Sequence, residues 1–514
     1  MLDVINLTSV DRDDKAFVQQ RLCCFPEAIQ RILLTEYLSH SSKFARNSYL
    51  RVTVDAISRK LSIPLAELKL NVSEDDLREQ SKHYAQSALT LRRQYLNDSL
   101  AIDSVRSLVR SRGVNPALSF SLTGELARYG DKNWWLRKLR KALRQNIEAV
   151  LHHLNQVNKK KSLYCSNPTL NARIAQKQYQ QEWLANTIAT NELGQSFSLL
   201  ELSQKGVADP KIRKGELMMR ARGFEDLAKS MNHEAAFLTL TCPSKYHRAY
   251  ATSGHENPKW GGFTPLDGQR YLNKQWVLVR SKLNRLGVRF YGFRVVEPQH
   301  DGTPHWHLLL FVEANQYQTL IEVMKDYALR EDSDEKGASK HRFTEVKIDP
   351  AKGSATGYIA KYISKNIDGA DLDSGIYGED PLDAAARVDA WASCWGIRQF
   401  QQLGGCSITV WRELRRLKST QNLPEQVKAI FEAADKGDWK GFLELMGGVF
   451  CHRKEQLVQP YYELSVDTNT GVVKTTAYSD EELTTVLKGV FAIGEAIVTR
   501  SMQWRFESKL ARAF

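Results

Sequence analysis

Two histidines separated by one residue, His305 and His307 in TPHWHLLLF, lie where the apolar pattern predicts a β-strand. Side chains alternate across a strand, so both imidazoles project from one face while Trp306, Leu308 and Leu310 take the other. Glu297 ends the preceding apolar run, and the connection PQHDGTP carries the turn signal Asp301-Gly302, so a hairpin sets Glu297 roughly opposite His305. One carboxylate and two imidazoles suit a divalent ion such as Mg2+ or Mn2+ as well as zinc, and three protein ligands leave positions open for a substrate phosphate. A pair of hydrogen-bonded histidines with no ion is the plainer alternative for H-x-H alone. Glu313, at the far end of the same strand, is a more distant carboxylate, and His300 in the connecting loop is a surface residue or a substrate contact.

Downstream, GYIAKYISKN places Tyr358 and Tyr362 four apart in a helical pattern, hence on one face about a turn from each other. Lys361 and Lys365 share the same spacing beside them. A phenol with an ordinary pKa near ~10 is a weak nucleophile at neutral pH, and neighbouring ammonium groups or a polarised phosphate help it attack. Read alone, two aromatics at this spacing also fit core packing.

The elements that must hold these residues follow the order βαββαβα. AAFLTLTCP reads as a strand, LDGQRYLNKQWVLVRSKLNRLG as a helix, VRFYGFRVVE and HWHLLLFVE as a strand pair, NQYQTLIEVMKDYAL as a helix, HRFTEVKID as a strand and SATGYIAKYISKNI as a helix. That alternation predicts an α+β domain of ferredoxin-like type, an antiparallel sheet with helices against it, over residues 231–380. Residues 1–230 read as a mainly helical region with a possible DNA-binding role, and residues 381–514 as a small mixed accessory domain. In the N-terminal part, Leu136, Leu139, Leu143, Ile147, Val150, Leu151 and Leu154 form one stripe, with Arg137, Lys138, Arg140, Lys141 and Arg144 off it. That basic face is either a solvated surface or a phosphate-contacting one. In the C-terminal part, PYYELSVD and VVKTTAY flank a predicted turn at Asn469-Thr470-Gly471.

The whole chain sets the class. Its 514 residues, 42% hydrophobic and 25% charged, can bury a large core, and no apolar run is long enough for a membrane span. The N-terminus lacks signal-peptide regions, so a cytoplasmic location in a bacterial host cell is expected. Seven cysteines without a C-x-x-C pair argue against a structural zinc site or a disulfide framework. A net charge of +13 favours a polyanionic partner.

In combination, FLTLTCPSKYH, EPQHDGTPHWHLLLF and GYIAKYISKN, in that order, resemble the three motifs of the HUH endonucleases of the replication-initiator branch, and most closely the bacteriophage replication gene A protein family. ELMMRARGFEDLA before the first and ITVWRELRRL after the last are similar too, so the resemblance runs from about residue 130 to 420. It implies a nicking domain in which Glu297, His305 and His307 hold Mg2+ or Mn2+, Tyr358 and Tyr362 are nucleophiles, and Lys365 and Lys361 steady the phosphate or the phenolate. It also implies rolling-circle initiation on single-stranded origin DNA through a 5′-phosphotyrosine. No P-loop occurs, so a host replicative helicase would open the duplex and a host polymerase extend the 3′ end. Trp260, Phe263 and Tyr271 are candidate stacking surfaces for unpaired bases. A two-tyrosine transposase shares the motif order, and a non-catalytic metal- and DNA-binding protein is the alternative from another class.

Overall fold

The computed structural model describes residues 7–508 apart from 62, 64, 119, 370–376, 420, 422, 468 and 469. The chain divides into two compact units, Met1–Gln156 with Ser465–Thr484 and Val157–Leu464 with Thr485–Phe514. The fold is α+β, with a mainly helical N-terminal region and antiparallel sheets.

The first unit is a helical assembly with two apolar clusters, and the helix Lys132–His153 serves both. Its first turns bury Trp134, Trp135 and Leu139 in one cluster, and Val150 and Leu151 enter the other. The predicted stripe is therefore a packing stripe. Arg137, Lys138, Lys141 and Arg144 lie exposed beside it, and Arg140 donates to Glu74 at 3.1 Å. Asp131 caps this helix by accepting from the N–H groups of Asn133 and Trp134, and it also accepts from the Tyr478 hydroxyl at 2.7 Å. Asp131→Ala, which removes both roles, is expected to lower the stability of this unit by about 1–2 kcal/mol in urea titrations.

The second unit is built on a five-stranded sheet. Helix α1 (Pro210–Ser230) leads into β1 (His233–Thr241), then α2 (Pro265–Arg285), the hairpin of β2 (Phe290–Pro298) and β3 (Pro304–Glu313), α3 (Tyr317–Leu329), β4 (Phe343–Lys347), α4 (Ala355–Ile367), α5 (Pro381–Trp395) and β5 (Phe400–Leu403). The spatial order is β4-β1-β3-β2-β5, and every neighbouring pair is antiparallel. The alternation of β2 and β3 sends Tyr291, Phe293, Val295, Leu309 and Phe311 to one face, where α1 and α4 cover them with Phe224, Leu227, Ile359 and Ile363. The other face carries Trp306, packed edge-on against Trp276 of α2 at 6.3 Å. Gly292 in β2 has φ +146, and a Cβ there would stand 1.9 Å from the Leu309 carbonyl, so only glycine lets β2 and β3 approach.

The breaks expected near 230 and 380 both fall inside this unit, because α1 covers the sheet and the later helices enter the same core. Trp411, Val427, Ile430, Trp439 and Phe442 share one apolar cluster with Phe224 and Tyr291. The region expected to be almost wholly helical also contains two short strands, Thr187–Asn191 and Ser196–Ser198, and the first pairs with Trp504–Ser508. Of the strand-like stretches PYYELSVD and VVKTTAY that flank the expected turn, Val466 and Val473 form an isolated bridge. Val458–Leu464 pairs instead with Thr485–Ala492. Gly471 takes the left-handed conformation of the turn (φ 70), while Asn469 lies outside the described residues. Among the described residues no helix is long and apolar enough to cross a membrane.

Candidate functional site

The β2–β3 register places Glu297 directly opposite His305, and the β1–β3 register pairs Thr239 with His307. The connecting turn closes through Gln299 N–H to Thr303 O and Gly302 N–H to Gln299 O, both 2.8 Å, with Gly302 at φ 81. Glu297, His305 and His307 therefore converge on one sheet face, their ligand atoms all within 4.8 Å of one another. His305 Nε2 lies 3.1 Å from His307 Nε2, and the two stand 3.5 and 3.6 Å from Glu297 Oε2.

These residues fit a divalent ion by their donor set. Nδ1 of each ring is engaged from behind, that of His307 with Thr239 Oγ1 at 3.0 Å and that of His305 with the Gln299 side-chain amide at 3.2 Å, so both Nε2 atoms face the carboxylate. Both partners orient the rings, and Thr239 Oγ1, which can accept the Nδ1 proton, is the kind of outer partner that raises the affinity of an imidazole ligand. Burial pushes the His305 pKa down to about 4, helped by the neighbouring His307, which keeps its ring in the neutral, metal-binding form at neutral pH. Burial alone would raise the pKa of Glu297. The Lys365 ammonium and hydrogen bonds from both imidazoles outweigh it and hold the carboxyl well below the usual range. Thr239→Val, which strips the partner from His307, is expected to weaken Mn2+ binding by about 10–100-fold in calorimetric titrations.

Helix α4 lies over this cluster. Ser354 caps its first turn, and Glu225 of α1 accepts from Thr356 N–H at 3.0 Å and Thr356 Oγ1 at 2.7 Å, which pins that end. The Tyr362 ring stands 3.8 Å from the His307 ring, centroid to centroid, and stacks on Phe237 at 5.4 Å. Burial and the Glu297 charge push its hydroxyl to about 12. Tyr358 shares that face one turn earlier, 6.0 Å from Phe237 and 36% exposed. Lys365 is 3% exposed, and its Nζ lies 3.4 Å from Glu297 Oε2, so it acts first on the carboxylate. Lys361 is exposed on the helix.

The other sequence candidates divide. Tyr271 is buried against Tyr246 at 5.1 Å, a packing position, whereas Trp260 and Phe263 are half-buried. Glu313 ion-pairs with Arg289 at 3.6 Å and sits opposite His233, at the end of β3 away from the histidines. His300 is buried in the turn.

Three contributors escaped the sequence reading. Asn366 donates to Glu297 Oε1 at 2.5 Å and to the Tyr362 carbonyl at 2.7 Å, and Gln399 donates to Asn366 at 3.0 Å. The Tyr164 ring lies 4.9 Å below the Lys365 ammonium. Asn366 had a signal, because it falls one turn after Tyr362 on the same face, whereas Gln399 and Tyr164 come from remote segments.

The fold and the site together define an α+β protein with a buried carboxylate and two imidazoles on an antiparallel sheet, able to hold a metal ion, beneath a helix that carries two tyrosines. Residues 70–370 match the family described as bacteriophage replication gene A protein (GPA). The chain is 40% identical over 394 residues to the replication gene A protein of Escherichia phage 186, covering 74% of this chain and 55% of that one. It is 41% identical over 358 residues to probable replication protein P12 of Pseudoalteromonas phage PM2, covering 68% and 55%. It is also 34% identical over 399 residues to a probable replication endonuclease from a prophage-like region of Salmonella typhimurium, covering 74% and 48%. This chain belongs to the bacteriophage replication gene A protein family. It spans about half the length of the curated relatives it matches. No solved structure matches it.

Proposed function

We propose that this chain is a metal-dependent tyrosine endonuclease that nicks one strand of a replication origin and starts rolling-circle replication. The observation that carries the reading is the Tyr362 ring at 3.8 Å from His307, which sets a tyrosine helix against a triad fit for a metal. The strand order β4-β1-β3-β2 supports a ferredoxin-like nicking domain of the HUH type, with β5 as an added edge. A relative named a probable replication endonuclease from a prophage-like region supports the activity.

A divalent ion, Mg2+ or Mn2+, held by Glu297, His305 and His307 would polarise the scissile phosphate. The chain's own residues do the rest. Lys365 and Asn366 hold the Glu297 carboxylate in place, and Thr239 and Gln299 fix the rings. A tyrosine hydroxyl oxygen attacks phosphorus, the phosphorus–O3′ bond breaks, the phenolic proton leaves to solvent, and the departing oxygen takes up a proton as a free 3′-hydroxyl. The 5′-phosphotyrosine keeps the energy of the phosphodiester, so rejoining needs no nucleotide. The second tyrosine, one turn away, attacks phosphorus at the regenerated junction and breaks its bond to O3′, and the freed 3′-hydroxyl attacks the first phosphotyrosine, closing the circle and returning the first phenol. A polymerase extends the free 3′ end and a partner helicase opens the duplex, both supplied by the bacterial cytoplasm.

The deciding test incubates the protein with labelled single-stranded oligonucleotides from its own gene and flanking DNA, with Mg2+ or Mn2+, and scores adducts that survive denaturing gels. A covalent adduct that disappears with EDTA and maps to the peptide containing Tyr358 and Tyr362 is expected. Metal-dependent binding without any adduct, on DNA verified as the cognate origin, would refute the nicking reading.

A further inference from the structure

Arg294 of β2 is 5% exposed, yet it has no ion pair and no hydrogen bond among the described residues. Its guanidinium carbon lies 3.9 Å from the centre of the Trp306 ring, on the sheet face opposite the metal cluster. Nε is sealed off without a partner, whereas the two terminal nitrogens are not sealed. Burial pushes its pKa down to about 10, and two more guanidiniums, Arg398 and Arg280, add to the shift. Both of these are exposed, and neither has an ion pair among the described residues, although Arg398 Nε donates to the Phe400 carbonyl at 3.0 Å. A buried cation without a counter-charge is costly, so three guanidiniums gathered with no carboxylate call for an anion from outside the fold.

The neighbourhood narrows the source of that anion. Arg294 is the register partner of Gln401 in β5, which ends the sheet and pairs only with β2. Val296 N–H donates to the Gln399 carbonyl, so by alternation Gln401 turns its backbone groups towards β2 and Gln402 turns its N–H and carbonyl outward, where no strand takes them. Between this edge and α2 runs an open cleft of about 790 Å³. Arg280 and Val277, the latter 63% exposed, line one wall, Gln401 and Leu403 line the other, and no carboxylate among the described residues lines it. Arg289, also in the lining, is already paired with Glu313. A nucleic-acid backbone would meet the guanidiniums, but it has no ladder of donors and acceptors for a strand edge and no apolar side chain for Val277. An extended peptide with acidic and apolar side chains has all three.

We propose that this cleft takes an extended acidic segment of a protein partner, laid along the free edge of β5 with its carboxylates on Arg280, Arg294 and Arg398. The site lies on the face away from the metal cluster, so docking there leaves the cluster free for its own substrate. The inference stands whether or not the chain nicks DNA.

The test selects a display library of random linear peptides on the immobilised full-length wild type, then measures the winners as free labelled peptides against wild type, Arg280→Glu and Arg294→Met. The winners are expected to share acidic residues alternating with apolar ones, and to bind both variants about tenfold more weakly or worse. Because Arg294 is buried, its variant is first checked by thermal unfolding, and if it fails to fold, the exposed Arg280→Glu variant decides. Labelled single-stranded and duplex oligonucleotides run beside the peptides and should bind the variants as they bind the wild type. No winners, winners without acidic residues, or winners that bind the variants at full strength overturn the proposal. Oligonucleotides that lose as much affinity for the variants as the peptides do also overturn it, because the cleft then serves a phosphate backbone.

Discussion

Replacing both Tyr358 and Tyr362 by phenylalanine is expected to abolish the covalent adduct, a loss of at least about 10⁴-fold, while single-stranded DNA binding stays within a few-fold of wild type. Each substitution removes one oxygen and leaves the ring, so the stacking of Tyr362 on Phe237 and His307 survives. The single variants should separate the two roles. Tyr362 is the tyrosine in contact with the triad, so Tyr362→Phe alone should remove most first-round adduct. Tyr358, more exposed and a turn away, should be dispensable for that first cut yet required for strand transfer after one round. Denaturing gels with labelled DNA read the first event, and release of labelled circles reads the second. An adduct that persists in the double variant would place the nucleophile elsewhere in the chain.

Glu297→Gln should have the second largest effect, visible without DNA. The carboxylate is wholly buried and faces Lys365, itself 3% exposed, so the variant leaves an ammonium buried without its counter-charge. A loss of about 3–5 kcal/mol is expected in urea unfolding of the metal-free protein. Lys365→Met in the same background should restore much of it, because the stranded charge is then gone. Mn2+ affinity should fall by about 100-fold or more in both variants, since stability can be regained without the ligand. Acid sensitivity gives an independent check. The folded-state pKa of Glu297 lies below its unfolded value, so its contribution is full above the ordinary carboxylate range and lost as pH falls through the depressed folded value. The acid limb of the wild-type stability curve should therefore be steeper than that of Glu297→Gln. Unchanged Mn2+ affinity in the single variant would remove Glu297 from the ligand set.

The parts of the site that were legible in the sequence are those governed by short periods. The parity of a strand put His305 and His307 on one face, the turn Asp301-Gly302 put Glu297 across from His305, and a helical repeat aligned Tyr358 with Tyr362. The order of strands and helices from β1 to α4 was legible for the same reason. The supporting contacts were not, because no local period encodes them. Gln399 reaches Asn366 from the lead-in to β5, and Tyr164 reaches Lys365 from a segment far upstream. Thr187–Asn191 was missed as a strand because its neighbour Trp504–Ser508 lies near the other end of the chain. Where the helices that follow β5 pack was not legible for a related reason. Trp411, Trp439 and Phe442 announce a core but do not say whose, and that core turned out to include the sheet that carries the triad.

The segment Ser465–Thr484 is inserted between two paired strands of the second unit, Val458–Leu464 and Thr485–Ala492, yet it belongs to the first unit. Synthesis thus imposes an order on maturation. Asp131 leaves the ribosome 347 residues before its partner Tyr478, so the N-terminal helices wait through the translation of the whole five-stranded sheet before their last piece arrives. No single cut yields either unit intact. A protease acting at the junction after Gln156 would still leave the halves joined through residues 465–484, and a nascent chain released early carries an unfinished N-terminal unit.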